Sequence, residues 1–441
     1  MTTRPTMNRR QEEAVTTRLR STRMIALSLA AITLATTLGA QSKQTAVAGE
    51  RWIATWATAQ QLAPTRLPIG RGDQQPPPAA RVPPTLTDQT VRMIAHVSVG
   101  GRRVRVRLSN ALGKSPLRVG AAHIALRENG ASIVASSDRA LTFGGRAATT
   151  VPPGAVAFSD PVDLVVPKLA DVAVSLYLPD DTGLPTIHPD GMHTAYIAQG
   201  DATRSTMLNP TATTTAYLWL AGIDVLAPAN AATVVAFGDS ITDGVGATLD
   251  ANRAWATLLA ARLASSPATD TVSVINVGLS GNRLLREGFG VSALARFDRD
   301  VLSFPHVRWM IVLLGINDIT FPAIPGMPST EAVTADDLIS GLHQLVERAH
   351  THDIKVAGAT IMPVGGVNTY TEPGEATRQA VNRWIRTGGE YDAVIDFDDV
   401  VRDPADPKKL RADFDPGDHV HPNDAGNQAM AAAIDPAMFL R

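Results

Sequence analysis

Apolar positions along the chain follow two different patterns. From Gln89 to about Ala227 they come in short β-type runs, such as "TVRMIAHVSV", "RRVRVRLSN", "AAHIALR", "DVAVSLYLP" and "AYLWLAGIDVL", divided by Gly, Pro and Asn turns. No amphipathic helical period lies between them. Many short strands with frequent turns predict an all-β sandwich or jelly roll. "LAPANAAT" (Leu226 to Thr233) marks the boundary, and after it apolar runs alternate with helical periods. "TVVAFG", "TVSVINVG", "RWMIVLLG", "IKVAGATIMP" and "DAVIDFDDV" read as strands. Helices are predicted near Trp255 to Ala264, near Ala293 to Leu302, across Glu375 to Arg386 and from about Asp424. The best defined begins at Thr334, which can cap it, and carries the stripe Leu338, Leu342, Leu345, Val346 and Ala349. Near-continuous apolar strands alternating with helices predict a doubly wound parallel sheet covered on both faces. The expected organisation is a β-sandwich domain over 49–227 followed by an α/β domain over 233–441.

Two segments stand outside this pattern. Arg18 to Arg23 is basic, Met24 to Ala35 is apolar and uncharged, and Ala46 to Ala48 offers small residues for cleavage. That order predicts a secretory signal peptide over 1–48, with Gly49 the mature start and an extracellular destination. The apolar run is shorter than the roughly 20 residues a membrane span needs. Pro64 to Pro84 is rich in Pro and Gly and reads as a loop.

Composition narrows the picture. The 441 residues are 44% hydrophobic and 19% charged, which fits a globular protein of more than one domain. A net charge of −2 provides no basic field for nucleic acid or an anionic membrane. The absence of cysteine removes disulfides, thiol catalysis and thiolate metal sites together. Arg103, Arg105 and Arg107 alternate with Val104, Val106 and Leu108, so a period of two puts the guanidinium groups on one strand face. In a near-neutral chain this reads as a solvated outer face.

The chemistry concentrates where the predicted parallel strands end, the edge at which such sheets bind ligands. Gly238-Asp239-Ser240 follows the first strand, "GLSGN" (Gly278 to Asn282) the second, "GIND" (Gly315 to Asp318) the third, and "GDHVHP" (Gly417 to Pro422) the last. Ser240 is a candidate nucleophile, which needs a base to take its proton. His421 is the candidate base, and Asp418, three residues earlier, can reach the far imidazole nitrogen across one turn. A carbonyl oxygen gaining charge needs preorganised donors: the N–H of Gly281, the side-chain amide of Asn317 and the N–H of Ser240 itself. Singly these residues are ordinary turn and loop residues. Together, in this order, they point to acyl transfer.

These four blocks resemble those of the SGNH (GDSL-type) serine hydrolases over about Thr233 to Leu440, with Gly-Asp-Ser-Ile in place of Gly-Asp-Ser-Leu. The resemblance implies a flavodoxin-like sheet and assigns Ser240, Gly281, Asn317, Asp418 and His421 as site residues. With its β-rich N-terminal part, the chain resembles the secreted acetylxylan-esterase-like branch. The implied activity is hydrolysis of short-chain, acetyl-type esters, on small molecules or polysaccharide, without cofactor or metal. A lipase or phospholipase is the enzymatic alternative, and a non-catalytic secreted carbohydrate-binding protein the other. Neither a nucleic-acid partner nor stable membrane insertion is expected. "GVGATL" (Gly244 to Leu249) lacks the third Gly and the acid of a dinucleotide fingerprint. Asp413 to Asp424 is rich in carboxylates and His but does not match a calcium loop. His343, His350 and His352 lie on or just after the Thr334-capped helix and are expected to complement its C-terminal dipole.

Overall fold

The computed structural model describes residues 1, 49–63 and 85–440. The leader, Met1 apart, and the stretch 64–84 lie outside the described residues. Glu50 to Arg441 forms one compact unit.

Its N-terminal part is a sandwich of antiparallel sheets. One sheet orders Glu50–Ala57, Leu220–Pro228, Gly101–Ser109 and Val156–Phe158, with Val162–Val166 also paired to Gly101–Ser109. The other runs Ala212–Thr214, Ala195–Gln199, Gln89–His96, Asp171–Leu178, Ala121–Asn129 and Ser132–Ile133. Alternate side chains of each sheet, among them Ile53, Met93, Val106, Leu108, Val174 and Leu176, are buried between them. Two small sheets, one of Gln61–Leu62, Thr186–His188 and Tyr217–Leu218 and one pairing Leu117–Val119 with Thr149–Val151, also belong to this part.

Four residues after Pro228 the chain enters the parallel sheet, whose strands are β1 (Ala232–Gly238), β2 (Val272–Asn276), β3 (Val307–Leu313), β4 (Lys355–Ala359) and β5 (Ala393–Ile395). Their order is 2-1-3-4-5, all parallel, which is the flavodoxin-like arrangement. Strand β1 is buried along its whole length, as a central strand covered on both faces must be. The helices are α1 (Ser240–Asp243), α2 (Trp255–Ala264), α3 (Ala293–Phe297), α4 (Ile316–Thr320), α5 (Ala335–His350), α6 (Glu372–Thr387), α7 (Phe397–Val401) and α8 (Asp424–Ala433). Helix α5 opens with a capping box in which Thr334 and Asp337 satisfy each other's backbone N–H, and all five predicted stripe residues are buried. Thr371 caps α6 and Asn423 caps α8.

The two parts share a core. Ala54, Ala57 and Ala59 from the first sandwich strand belong to the same apolar cluster as Trp255, Leu259, Val274 and Ile275. Ser98 Oγ meets Ser273 Oγ at 2.8 Å, and Ser273 donates to the Ala54 carbonyl at 2.5 Å.

Several expectations are corrected. The arginine face is not a solvated one. Arg105 pairs with the buried Asp224 at 2.8 Å, and its guanidinium lies over Trp52 and Phe158. Arg107 is buried, stacks on Phe304 and donates to the Ser303 carbonyl. Period two places the arginines on one face, where the sandwich's own Trp52 and Phe158 cover Arg105, Phe304 and Ser303 of the α/β part cover Arg107, and Arg103 stays partly exposed beside Asp163. "DAVIDFDDV" is strand only over Ala393–Ile395, because the Asp396 side chain accepts from Asp399 N–H and starts α7. His343 and His350 are held by the carboxylates of Glu390 and Asp392, at 3.0 and 2.9 Å, and not by the helix end alone. Among the described residues no helix is long and apolar enough to cross a membrane.

Candidate active site

Four loops at the carboxyl edge of the sheet converge as the strand order requires. The first turns directly from β1 into α1. Asp239 caps this four-residue helix by accepting from Ile241 N–H at 3.1 Å, which places Ser240 at the first helical position. The N–H of Ser240 therefore has no intrahelical carbonyl to bond. Gly244 ends the helix in the left-handed conformation (φ 110°).

His421 Nε2 lies 2.8 Å from Ser240 Oγ, and His421 Nδ1 lies 2.7 Å from Asp418 Oδ2. A carboxylate only accepts, so Nδ1 carries the proton donated to Asp418. In a neutral ring Nε2 then accepts from the Ser240 hydroxyl. Burial works to raise the Asp418 carboxyl, but bonds from the His421 ring and from the N–H groups of His421 and Val420 outweigh it and leave it at about 2. Asp418 is thus a carboxylate at any working pH. Gly246 (φ 95°) allows His421 its place, since a Cβ there would come within 2.9 Å of the histidine Cβ. The glycines of "GVGATL" end α1 and make room for His421.

The second and third loops carry the donors. Gly281 has φ 72°, and a Cβ there would strike the Phe289 ring at 2.8 Å. Only glycine fits both conditions. Its N–H bonds no partner among the described residues. Asn317 uses one amide hydrogen to reach the Asn282 carbonyl at 2.9 Å, which fixes the side chain and leaves its other hydrogen available. Leu279 N–H bonds the Gly238 carbonyl at 3.1 Å and ties this loop to the one bearing Ser240. All five residues singled out from the sequence thus sit in one bonded assembly of loops.

Sequence reasoning missed the groups that hold this assembly. Arg296 on α3 is fully buried and donates to the Gly238 carbonyl at 2.7 Å, the Val277 carbonyl at 2.8 Å and Asn282 Oδ1 at 2.8 Å, while pairing with Asp300. One guanidinium joins the first and second loops. The available signal was Arg296 and Asp300 sharing a helical face with Phe297 and Val301. Asp318 accepts from Leu284 N–H and Leu285 N–H at 2.7 and 3.1 Å, which anchors the third loop to the second. Burial raises its carboxyl to about 6 against those two bonds. Burial, reinforced by Asp318 and Asp243, raises the Asp239 carboxyl to about 7, although the Ile241 N–H and Arg296 favour its charge. Asp239 Oδ2 has no partner among the described residues.

The carboxylates of Asp413 to Asp424 each have an occupation of their own. Asp413 pairs with Arg411, Asp415 with His419, Asp418 with His421, and Asp424 accepts from Thr248. The loops after β2 and β3 are tied by Arg283 to Glu331 at 2.6 Å and by Arg286 to the Thr330 carbonyl. Phe289 and Phe321, one from each, meet edge to face at 5.7 Å beside Gly281. Beyond α4, the loop after β3 forms only short 3₁₀ turns, Phe321–Ala323 and Ser329–Glu331.

Residues 236–429 match the GDSL-like lipase/acylhydrolase family. No curated protein matches the chain. Solved structures similar to it include an acetylxylan esterase from Geobacillus stearothermophilus (21% identity, 46% of this chain and 91% of that one, TM-score 0.37). A carbohydrate acetylesterase from Sinorhizobium meliloti is similar at 17% identity (46% and 95% covered, TM-score 0.36). A GDSL-like lipase from Bacteroides thetaiotaomicron is similar at 21% identity (47% and 87% covered, TM-score 0.35). The segment 236–429 is a GDSL-like lipase/acylhydrolase domain, and the chain that carries it is a carboxylic ester hydrolase.

Proposed function

We propose that this protein is an exported serine esterase that removes short acyl groups, acetyl above all, from carbohydrate. The observation that carries the reading is the unbroken hydrogen-bonded chain from Ser240 through His421 to Asp418. As Ser240 Oγ bonds to the ester carbonyl carbon, its proton passes to His421 Nε2. Asp418 stabilises the imidazolium that forms. The carbonyl oxygen becomes an oxyanion facing the N–H groups of Ser240 and Gly281 and the amide of Asn317. His421 then gives its proton to the alcohol oxygen as the ester C–O bond breaks, leaving acyl-Ser240. Water, deprotonated by His421, attacks the acyl carbon. The acid departs and the serine proton returns.

Short acyl groups are favoured by what surrounds Ser240. A long-chain lipase must bury many methylenes at about 0.8 kcal/mol each. Here the neighbouring loops offer a single half-buried aromatic pair, and ion pairs at Arg283 and Arg286 hold them in place. Proline at 322, 325 and 328 keeps the loop after β3 from forming a helical lid. Export rests on the basic, apolar, small-residue order of the leader.

The test combines Ser240→Ala with a panel of p-nitrophenyl esters and acetylated polysaccharide. The variant should fold, lose ester hydrolysis and escape labelling by a serine-directed phosphonate. Wild-type kcat/KM should be highest for acetyl or propionyl esters and fall with chain length. Activity retained in Ser240→Ala overturns the mechanism. A preference for eight carbons or more overturns the substrate alone.

A further inference from the structure

The sandwich reaches the site through a buried histidine. His188, at the end of the strand Thr186–His188, places Nε2 2.8 Å from Asp243 Oδ1. Its Nδ1 lies 2.8 Å from the Ala59 carbonyl. Asp243 is the last residue of α1, three after Ser240. Its second oxygen accepts from Ser280 N–H at 3.2 Å and from Ser280 Oγ at 3.1 Å. Ser280 is the residue before Gly281. A bonded line thus runs from the sandwich, through the end of the Ser240 helix, to the segment that aims the Gly281 N–H.

Donor accounting fixes the character of this line. The Ala59 carbonyl only accepts, so His188 Nδ1 must carry a proton. Both Ser280 groups donate to Asp243. The contact between Nε2 and Oδ1 then holds one proton, most simply as imidazolium and carboxylate. His188, Asp243 and Ser280 are all nearly excluded from solvent, at 2%, 6% and 7% exposure. A buried pair of this kind is costly to break from either side. The segment before Gly281 is also pressed on α1: a Cβ at Gly278 would lie 2.3 Å from Asp243 N, and Asn276 donates to the Thr242 carbonyl at 2.6 Å.

We infer that His188 and Asp243 are positioning residues for the oxyanion donors, so that the sandwich is a working part of the esterase site. The inference rests on the serine-esterase reading above. Without the pair, the turn before Gly281 loses its acceptor and its N–H is no longer aimed at the reacting carbonyl. Asp243→Asn is the informative conservative change. Its amide can donate to a neutral His188 Nε2 while its oxygen still accepts from Ser280, so the line survives without charge.

The experiment measures kcat and KM for p-nitrophenyl acetate in His188→Ala, Asp243→Ala and Asp243→Asn, with folding followed by circular dichroism and Ser240→Ala as the blank. Both alanine variants should lose about 10–100-fold in kcat with KM changed less than about threefold. Asp243→Asn should stay within about threefold of wild type. Wild-type kcat in the folded alanine variants, a loss confined to KM, or an equal loss in Asp243→Asn each overturns the inference. If the alanine variants do not fold, His188→Gln decides. It keeps a neutral donor toward Asp243 but not the cation that balances its buried charge, and should show about tenfold lower kcat, with wild-type kcat overturning the proposal. An active Ser240→Ala blank is the distinct outcome that sinks the esterase mechanism itself.

Discussion

Replacing Asp239 by Asn removes one charge from the floor of the site without changing its shape. Asp239 Oδ1 caps α1 through Ile241 N–H, a bond the Asn carbonyl oxygen can accept equally well, while Oδ2 has no partner to lose among the described residues. Burial raises the folded-state carboxyl to about 7, against about 3.9 in an unfolded chain. Below about pH 4 both states are protonated and the carboxyl costs nothing. Between pH 4 and 7 only the folded state holds the proton, so stability falls by about 1.4 kcal/mol per unit as pH rises. Above 7 both states are ionised and the folded protein carries the full cost, about 4 kcal/mol. Asn has no such dependence. Asp239→Asn should therefore match wild type near pH 4 and exceed it increasingly up to pH 8. For a chain of this length 1 kcal/mol moves Tm by about 1 °C, so the gap at pH 8 is about 4–5 °C. Asp318, raised by burial to about 6, titrates in both proteins and largely cancels in the difference. The assay is thermal unfolding of both proteins from pH 4 to 8 in matched ionic strength. A gap independent of pH, or one that grows toward acid, refutes the reasoning.

Asn317→Ala removes a donor anchored on the Asn282 carbonyl and should lower kcat by about 10²–10³ with a smaller change in KM, read with an acetyl ester. A change in KM alone makes Asn317 a substrate-binding group. Arg296→Met leaves the Gly238 and Val277 carbonyls without their buried donor and Asp300 with Arg299 alone, and should cost about 3–5 kcal/mol in thermal or denaturant unfolding, with kcat falling as the first and second loops part. A Tm within one degree of wild type counts against the hub. A chain beginning at Thr233 exposes the faces of Val274 and Ile275 that Ala54 and Ala57 cover and leaves Asp243 without His188, so it should be recovered insoluble or inactive. A soluble fragment with full kcat contradicts that.

The parallel sheet was legible because its strands are apolar runs long enough to be buried on both faces, each followed by a helical period. The five site residues were legible for a related reason. They sit directly after those runs, where topology has few places to put them. Contacts between the two parts were not legible. The side chain of Arg107 looks exposable in its strand, and only the arrival of Phe304 and the Ser303 carbonyl, nearly 200 residues later, buries it. His343 was assigned to a helix dipole because its partner Glu390 lies 47 residues away. His188 sits in a three-residue strand whose pattern carries no period at all. Asp239 and Asp318 stood in plain view inside "GDS" and "GIND", yet their burial depends on how tightly the loops close.

Those two, with Asp243, set three buried carboxyl groups around the loops that bear Ser240 and the oxyanion donors. Negative charge there opposes the oxyanion, and the opposition is strong where solvent is excluded. The fold answers each carboxyl differently. Asp318 spends its oxygens on two loop N–H groups and so fastens the second loop to the third. Asp239, with one oxygen unpartnered, takes up a proton up to about pH 7 and is neutral below it. Asp243 must accept from Ser280 to hold the turn before Gly281, which requires it as an acceptor with its charge balanced nearby. Arg296, a fully buried cation beside these loops, is already committed to Asp300 and three acceptors around the first two loops. The balancing charge for Asp243 comes from His188, on the sandwich. This gives the β-rich part a chemical reason to be fused to the hydrolase domain that does not depend on binding polymer.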